Sequence, residues 1–524
     1  MRYNKLYRCI LAVSLSCSVF MASAAYAQQK EDQFDRYARK MNEQFNAKKK
    51  SYNAAFEAYR NKINKQFAAY LEKEWKKIVL LNPDVVPDKP EPVFEKPSGD
   101  DRLLPNREPS VVPVDVVPPK PVNPIKSKPV VPIRLLPDNS RIVVVPDDVI
   151  EEPVEPVVPT VEQEHTVGFQ YLANRVQIRF PEESAGRIRL GNLNKRDLSV
   201  AWNELSGEKY NSMLVDCICI RESLQLCDWA FYQLLLEFTK AIYGSEKSSE
   251  AVLTQAYVLS QLGYKLRLVD CNGKLHIIIA YRDQIYAVPY FTVDGEKFYA
   301  FTIPSSQSVH FCDFQFPGEK ASTAAVGKLP VVPMAETAKK TYKSERSEGV
   351  SVNLSPNKNL ISFYDNYPSC RWDLKAQASL SKEVKNQLYP VLKREIKGKT
   401  ESEAANILIN FVQTAFEYMT DDKQFGREKA FFGDELFFYP YSDCEDRSVL
   451  YAILVKELLK LDVVLLEYPT HLATAVKFKE DVRGDHFIID GKKYIVCDPT
   501  YIGATIGQSM DSMRNIEATI IKVN

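Results

Sequence analysis

The chain is predicted to be α+β, and three observations predict it. Segments of helical period (228–242, 250–262, 402–418 and the run after Cys444) sit beside short runs of strand character. Those short runs are joined by Asn272-Gly273, Asp294-Gly295 and Asp490-Gly491, dipeptides suited to two-residue hairpin turns because both residues tolerate positive φ. The order of elements also recurs. Phe291-Thr292-Val293-Asp294-Gly295-Glu296-Lys297-Phe298 resembles Phe487-Ile488-Ile489-Asp490-Gly491-Lys492-Lys493-Tyr494, at a shift near 196 residues (291 to 487). One α+β unit is therefore expected twice.

Size and composition set the outer limits. At 524 residues two or three domains are expected, and 45% apolar with 26% charged residues is ordinary for globular proteins. Basic and acidic residues balance at 68 each, and no basic patch interleaves with aromatics, so nucleic acid is not the expected partner.

Residues 1–27 read as a signal peptide. Arg2, Lys5 and Arg8 precede a short apolar run from Ile10 to Met21, and Ala25-Tyr26-Ala27 is a small-x-small cleavage site. That run is too short to span a bilayer, and no later one suffices, so no transmembrane span is expected. The protein is expected to be exported, periplasmic or secreted. Lipid anchoring through Cys17 is the lesser alternative, because Ser14-Leu15-Ser16 lacks a leading aliphatic residue.

Residues 28–80 form a helical segment with an aromatic stripe: Phe34, Tyr37, Phe45, Tyr52, Phe56, Tyr59, Phe67 and Tyr70 recur at helical steps. The stripe fits packing within the protein or a coiled-coil seam for self-association or a partner. Residues 81–163 are a Pro-rich extended spacer holding most of the chain's 31 prolines. Proline there removes donors and fixes φ, which excludes helix and inner strands, and the segment's expected role is reach. An envelope protein could dock on either segment. The first α+β domain spans 164–309, a connector without periodicity 310–351, and the second domain 352–524.

Eight cysteines follow the leader. Cys217 and Cys219 lack the paired chelating loops of a zinc site, so buried thiols or one or two disulfides are expected, a Cys444–Cys497 bridge among the options. Ser442 with Glu445 three residues later reads as a capping box, and Leu450, Ile453, Leu454, Leu458 and Leu461 extend the helix to about Lys460. Cys444 then sits in the first turn, where free N–H groups and the helix dipole favour a thiolate. A thiolate needs an imidazole, and the imidazole an orienting carboxylate. His471 opens a strand with small residues on its face, and Asp498 ends the next main strand. The spacings are 27 residues each, 444 to 471 and 471 to 498. Asp443, Glu445 and Asp446 crowd the thiol with negative charge, which opposes its ionisation.

Cys444-Glu445-Asp446, His471 in its strand and Asp498-Pro499-Thr500 together resemble the transglutaminase-like superfamily, of the bacterial cysteine peptidase type, over about 402–508. The resemblance implies a papain/transglutaminase-like fold for the C-terminal domain. It implies Cys444 as nucleophile, His471 as general base then acid, and Asp498 as orienter. It also implies an oxyanion site built from the Cys444 N–H and an upstream side chain, for which Tyr439 and Tyr441 are the candidates. No cofactor and no metal ligand enters this reading. The first domain is expected to be a degenerate copy: Lys247, Ser248 or Ser249 stands where Cys444 does, His276 near His471, and Thr302 at the orienting position. The implied function is a hydrolase or acyl-transferase acting on amide bonds of a peptide or protein through a thioester, with hydrolysis favoured by excess water. The alternative is a non-catalytic envelope scaffold or peptide-binding protein.

Overall fold

The structure is a computed structural model that describes residues 57–86, 133–136, 141–144, 165–181, 188–190 and 193–523. The leader and the first part of the aromatic stripe lie outside the described residues. Within them the protein is a mixture of helix and sheet.

The first described element is a helix over 57–71, α1. Phe67, Ala68 and Leu71 on one face are buried. Phe67 packs edge-on against Trp202, with ring centroids 4.3 Å apart, and against Phe314 and Phe316. The Trp202 indole donates to Asn64 Oδ1 at 3.1 Å, so this end of the stripe belongs to the first domain's core. The expected helix over 28–80 does not run to its predicted end. Lys76–Val79 leaves helical geometry as strand β1 and pairs antiparallel with Ser308–Phe311. An open sheet edge offers this segment a full set of partners, and Pro83 just beyond forbids a continuing helix.

The proline-rich segment holds one local exception to the extended reading. Ile133–Leu136 (β2) and Arg141–Val144 (β3) pair antiparallel. Both are proline-free stretches between prolines, so every ladder donor is present.

The first module continues with the hairpin β4 (Thr166–Tyr171) and β5 (Asn174–Arg179), then α2 (Lys195–Leu205), α3 (Asn211–Ser223), α4 (Asp228–Tyr243) and α5 (Ser249–Gln261). The sequence signals missed α3 because it is buried along a nearly unbroken run from Asn211 to Ile218, which erases any period. Strands β6 (Leu266–Cys271), β7 (Lys274–Ala280), β8 (Tyr290–Val293), β9 (Glu296–Tyr299) and β10 (Ser308–Phe311) follow. Their sheet runs β1-β10-β6-β7-β9-β8. Just after β1, Leu81 donates to the Tyr290 carbonyl of β8 at 2.8 Å, which closes the sheet on itself. Leu80, Val269, Ile278, Phe298, Val309 and Phe311 belong to the buried cluster that this closure seals.

The expected connector ends inside a hairpin rather than at its edge. Lys340–Lys343 (β11) pairs with Ser351–Leu354 (β12), so residues 340–351 already belong to the second module. That module adds α6 (Lys358–Asp365), α7 (Trp372–Gln377), α8 (Lys382–Ile396), α9 (Glu401–Thr414), β13 (Glu417–Tyr418), α10 (Asp421–Phe425), β14 (Tyr441–Ser442) and α11 (Cys444–Leu454). A π turn over Val455–Leu459 ends at Lys460 in the left-handed region, φ 59°. Strands β15 (Asp462–Tyr468), β16 (His471–Lys477), β17 (His486–Ile489), β18 (Lys492–Cys497) and β19 (Thr519–Lys522) complete it.

The second sheet runs β19-β15-β16-β18-β17, and β10-β6-β7-β9-β8 of the first sheet follows the same plan strand for strand. In both, a helix (α5, α11) precedes the central hairpin and an Asp-Gly turn joins the last pair. Asp294 and Asp490 each take φ 50°, the backbone this turn requires. Among the described residues the second sheet has no closing strand. Instead it is buried on both faces, by the helices on one and by Tyr501, Met510 and Met513 of the C-terminal loop on the other.

Candidate active site

Helix α11 starts on Cys444 itself. The predicted Ser442–Glu445 capping box is displaced by one residue: Asp443 is the N-cap and Asp446 its reciprocal partner, with the Asp443 N–H donating to Asp446 Oδ2 at 3.3 Å. Ser442 cannot cap because its backbone is committed to β14, which pairs in parallel with Glu417–Tyr418. All eleven residues of α11 are buried, so the helix is core and its N-terminus is held by the fold. Cys444 is 3% exposed, and its thiol donates to Glu445 Oε2 at 3.1 Å.

His471 opens β16, and its ring is wholly buried. Nε2 lies 2.9 Å from Asp498 Oδ2, and the Tyr468 ring stacks alongside at 6.4 Å between centroids. An ionised Asp498 accepts from Nε2–H, which leaves Nδ1 as the basic nitrogen. Nδ1 is buried and, among the described residues, has no hydrogen-bond partner. Asp498 is itself fixed: its Oδ1 accepts from the N–H groups of Thr500 at 2.9 Å and Tyr501 at 3.1 Å. One turn along α11 from Cys444, the Ser448 hydroxyl donates to the carbonyl of Leu472 at 2.8 Å. Residues four apart share a helix face, so this bond seats the Cys444 end of α11 over the start of the strand that carries His471.

The two oxyanion candidates fare differently. Tyr439 is turned away, its hydroxyl donating to Asp365 Oδ1 at 2.6 Å and its ring stacked on Phe431. Tyr441 follows the strand, its N–H donating to Gln424 Oε1 at 3.2 Å. The phenol beside the thiol is Tyr418, whose backbone is paired with Ser442. Burial pushes its pKa up, reinforced by the thiol of Cys444 and the carboxyls of Asp443 and Glu445. The Arg447 guanidinium lies 5.4 Å over its ring. The sequence reading placed Tyr418 at the end of a helix, but α9 stops at Thr414, and the strand that carries Tyr418 exists only through its pairing with β14.

Five carboxylates surround the helix start. Asp421, Glu428 and Glu445 bring oxygens within 4.8 Å of one another, and Asp421, Asp443 and Asp446 do likewise. Burial raises the pKa of Asp443 well above its ordinary value, with Glu445, Asp446 and Asp421 adding to it. Asp446 is raised in the same way by burial, then by Asp421 and Glu445. The sequence showed the three residues flanking Cys444; Asp421 and Glu428 arrive from a loop that only the fold brings near.

All eight described cysteines are free. Cys497 donates to Ile495 O at 3.4 Å, and burial pushes its thiol up to about 12, so it is neither bridged to Cys444 nor a competing thiolate.

In the first module the same positions hold different side chains. Ser248 caps α5 as Asp443 caps α11, so Ser249 stands at the position of Cys444. The Ser249 hydroxyl accepts from Leu275 N at 3.4 Å, and His276 Nδ1 lies 2.8 Å from Thr302 Oγ1. Burial lowers the His276 pKa, helped by Lys274, and no carboxylate takes the place of Asp498. No family model, no curated protein and no solved structure matches the chain.

Proposed function

We propose that the protein is an exported cysteine hydrolase of transglutaminase-like architecture that cleaves amide bonds of a peptide or protein through a thioester. The observation that carries this reading is the buried His471–Asp498 pair, 2.9 Å apart, with Nδ1 unpartnered beside the strand start over which the Cys444 helix is seated.

His471 Nδ1 takes the thiol proton as the sulfur attacks the carbonyl carbon. The C–S bond forms and the carbonyl electrons move to oxygen, where the Cys444 N–H and the Tyr418 hydroxyl would stabilise the charge. As the C–N bond breaks, the imidazolium returns its proton to the leaving amine. Water, deprotonated by the same nitrogen, then attacks the thioester and releases the carboxylic acid and the thiol. Asp498 stays ionised throughout and holds the ring.

The carboxylates around the helix start fit a hard divalent cation such as calcium. The donors are all oxygens, and among the described residues Asp443 Oδ1 is buried without a hydrogen-bond partner. Asp421 with Glu428 and Glu445, or Asp421 with Asp443 and Asp446, would hold it. Its charge would offset the carboxylates that otherwise oppose a thiolate at Cys444. Export follows from the leader pattern, and no helix among the described residues is long and apolar enough to cross a membrane.

Iodoacetamide labelling read by mass spectrometry tests the proposal. Cys444 is expected to react at least ~10-fold faster than Cys497 at neutral pH, and His471→Ala to slow it by about 10-fold or more. Equal, slow labelling of both thiols would favour the scaffold reading, in which Glu445 simply holds the Cys444 proton.

A further inference from the structure

The C-terminal end of α9 touches both halves of the site. The side-chain amide of Gln413, 1% exposed, donates to the carbonyls of Asp498 at 3.1 Å, Tyr501 at 2.8 Å and Ala504 at 3.2 Å. Its oxygen accepts from Gly503 N at 3.4 Å. One side chain therefore clamps the whole loop that begins with Asp498. On the other side, the backbone carbonyls of Gln413 and Phe416 accept from the Arg447 guanidinium at 3.2 and 2.8 Å, and Arg447 Nε donates to Ser442 Oγ at 3.2 Å. Arg447 sits one turn into the Cys444 helix and is fully buried. Asp443 and Asp446 act on its charge from nearby, but among the described residues its hydrogen bonds go to carbonyls and a hydroxyl. A guanidinium that hydrogen-bonds no carboxylate is a costly object to bury, and its fork ties the end of α9 to the Ser442 side chain.

The first module serves as an internal control. Counting from the helix caps, Val252 stands where Arg447 does, and one residue before the end of α4, Ile242 stands where Gln413 does. That module builds the same strand order without either polar group. A brace required by the architecture would recur; this one occurs only where the cysteine, histidine and aspartate are present.

We infer that Gln413 and Arg447 are positioning residues: Gln413 holds Asp498 in register with His471, and Arg447 holds the Cys444 and Tyr418 segments in register with that pair. The inference rests on the hydrolase reading for its purpose, but its geometry can be tested apart from activity. In protein labelled with 15N-histidine, the Nε2–H signal of His471, assigned by its loss in H471A, reports the bond to Asp498 directly. Gln413→Met keeps the volume and removes the donors. The expected result is a native melting profile, loss of the slow-exchanging Nε2–H signal, and a fall in Cys444 alkylation of about 10-fold or more at neutral pH. Arg447→Lys keeps the charge and removes the fork, and is expected to retain the Nε2–H signal while slowing alkylation. If Gln413→Met does not fold, Gln413→Asn, too short to span the three carbonyls, takes its place. A Nε2–H signal that persists unchanged in the folded Gln413 variant overturns the inference, as does its absence from the wild type. Slow Cys444 alkylation in the wild type would instead sink the hydrolase reading and leave the brace to be decided by the ring proton.

Discussion

The two modules share a strand order and differ in what they place at three corresponding points. Ser249, His276 and Thr302 occupy one set; Cys444, His471 and Asp498 occupy the other. In the first, a neutral hydroxyl lies beside a half-exposed imidazole. In the second, a carboxylate lies beside a fully buried one. The same sheet and the same helix start therefore hold an imidazole against a carboxylate in one module and against a hydroxyl in the other. The modules also differ in how they close: the first borrows β1 from upstream, whereas the second is covered by its own C-terminal loop.

The largest effect expected to sharpen this contrast is on reaction rate. Cys444→Ala or His471→Ala is expected to cut turnover of a peptide substrate by about 10³-fold or more, while Ser249→Ala and His276→Ala leave it unchanged. A comparable loss on Ser249→Ala, measured in the same assay, would break the assignment of chemistry to one module.

Stability should divide along the same line. Phe67 contacts Trp202, Phe314 and Phe316, all in the first module, so Phe67→Ala is expected to cost about 3–5 kcal/mol. Limited proteolysis should show the first module opening while the second stays protected. Simultaneous cleavage of both would show that the modules unfold as one.

The second module should carry a pH dependence of its own. Burial raises Asp434 to about 7, and both its oxygens accept from the Ser381 N–H. Its pKa in the folded state lies above the ordinary value of 3.8, so the folded state binds the proton more tightly. The associated stability is present in full below about pH 4 and is lost as pH rises to about 7, by at most ~4 kcal/mol. Denaturation at pH 5 and pH 8 should show this loss, and Asp434→Asn should flatten it. A slope that survives the substitution would move the cause elsewhere.

Calcium should act more weakly and on the same module. If the carboxylates around Cys444 bind it, calcium at about 100 times its dissociation constant is expected to stabilise by about 3 kcal/mol, reversed by a chelator. A melting temperature indifferent to both would remove the cation from the site. The smallest effect concerns the vacant thiol position: Ser249→Cys is expected to yield a thiol no more reactive than Cys497, because His276 faces Thr302 and not a carboxylate. Rapid labelling of that cysteine would erase the distinction between the modules.

Much of this was legible in the sequence because it is local. Asp-Gly turns, helical period and the Cys-His-Asp order each need only a short window. What escaped is what depends on a distant partner. Lys76–Val79 looks helical until β10 supplies an edge, and Ser442 looks like a cap until β13 claims its backbone. Gln413 and Arg447 are ordinary polar residues on helices until the carbonyls they reach, one of them 91 positions away, are known. Gly484 is a further case. At φ 133° its Cα faces Gly507 so closely that a Cβ would sit 2.4 Å from the Gly507 Cα, a crossing no local pattern announces.

Closure of the first barrel changes what the proline-rich segment is. Residue 84 is held there by the Asp84 carbonyl, which accepts from Ala287 N at 2.9 Å, and by residue 171 the chain is back, with the Tyr171 hydroxyl bonded to Ala230 O. Both ends of the proline run are thus moored to one body, so it is a bight and not a leash. Lengthening it cannot move the cysteine farther from the described end of the aromatic helix.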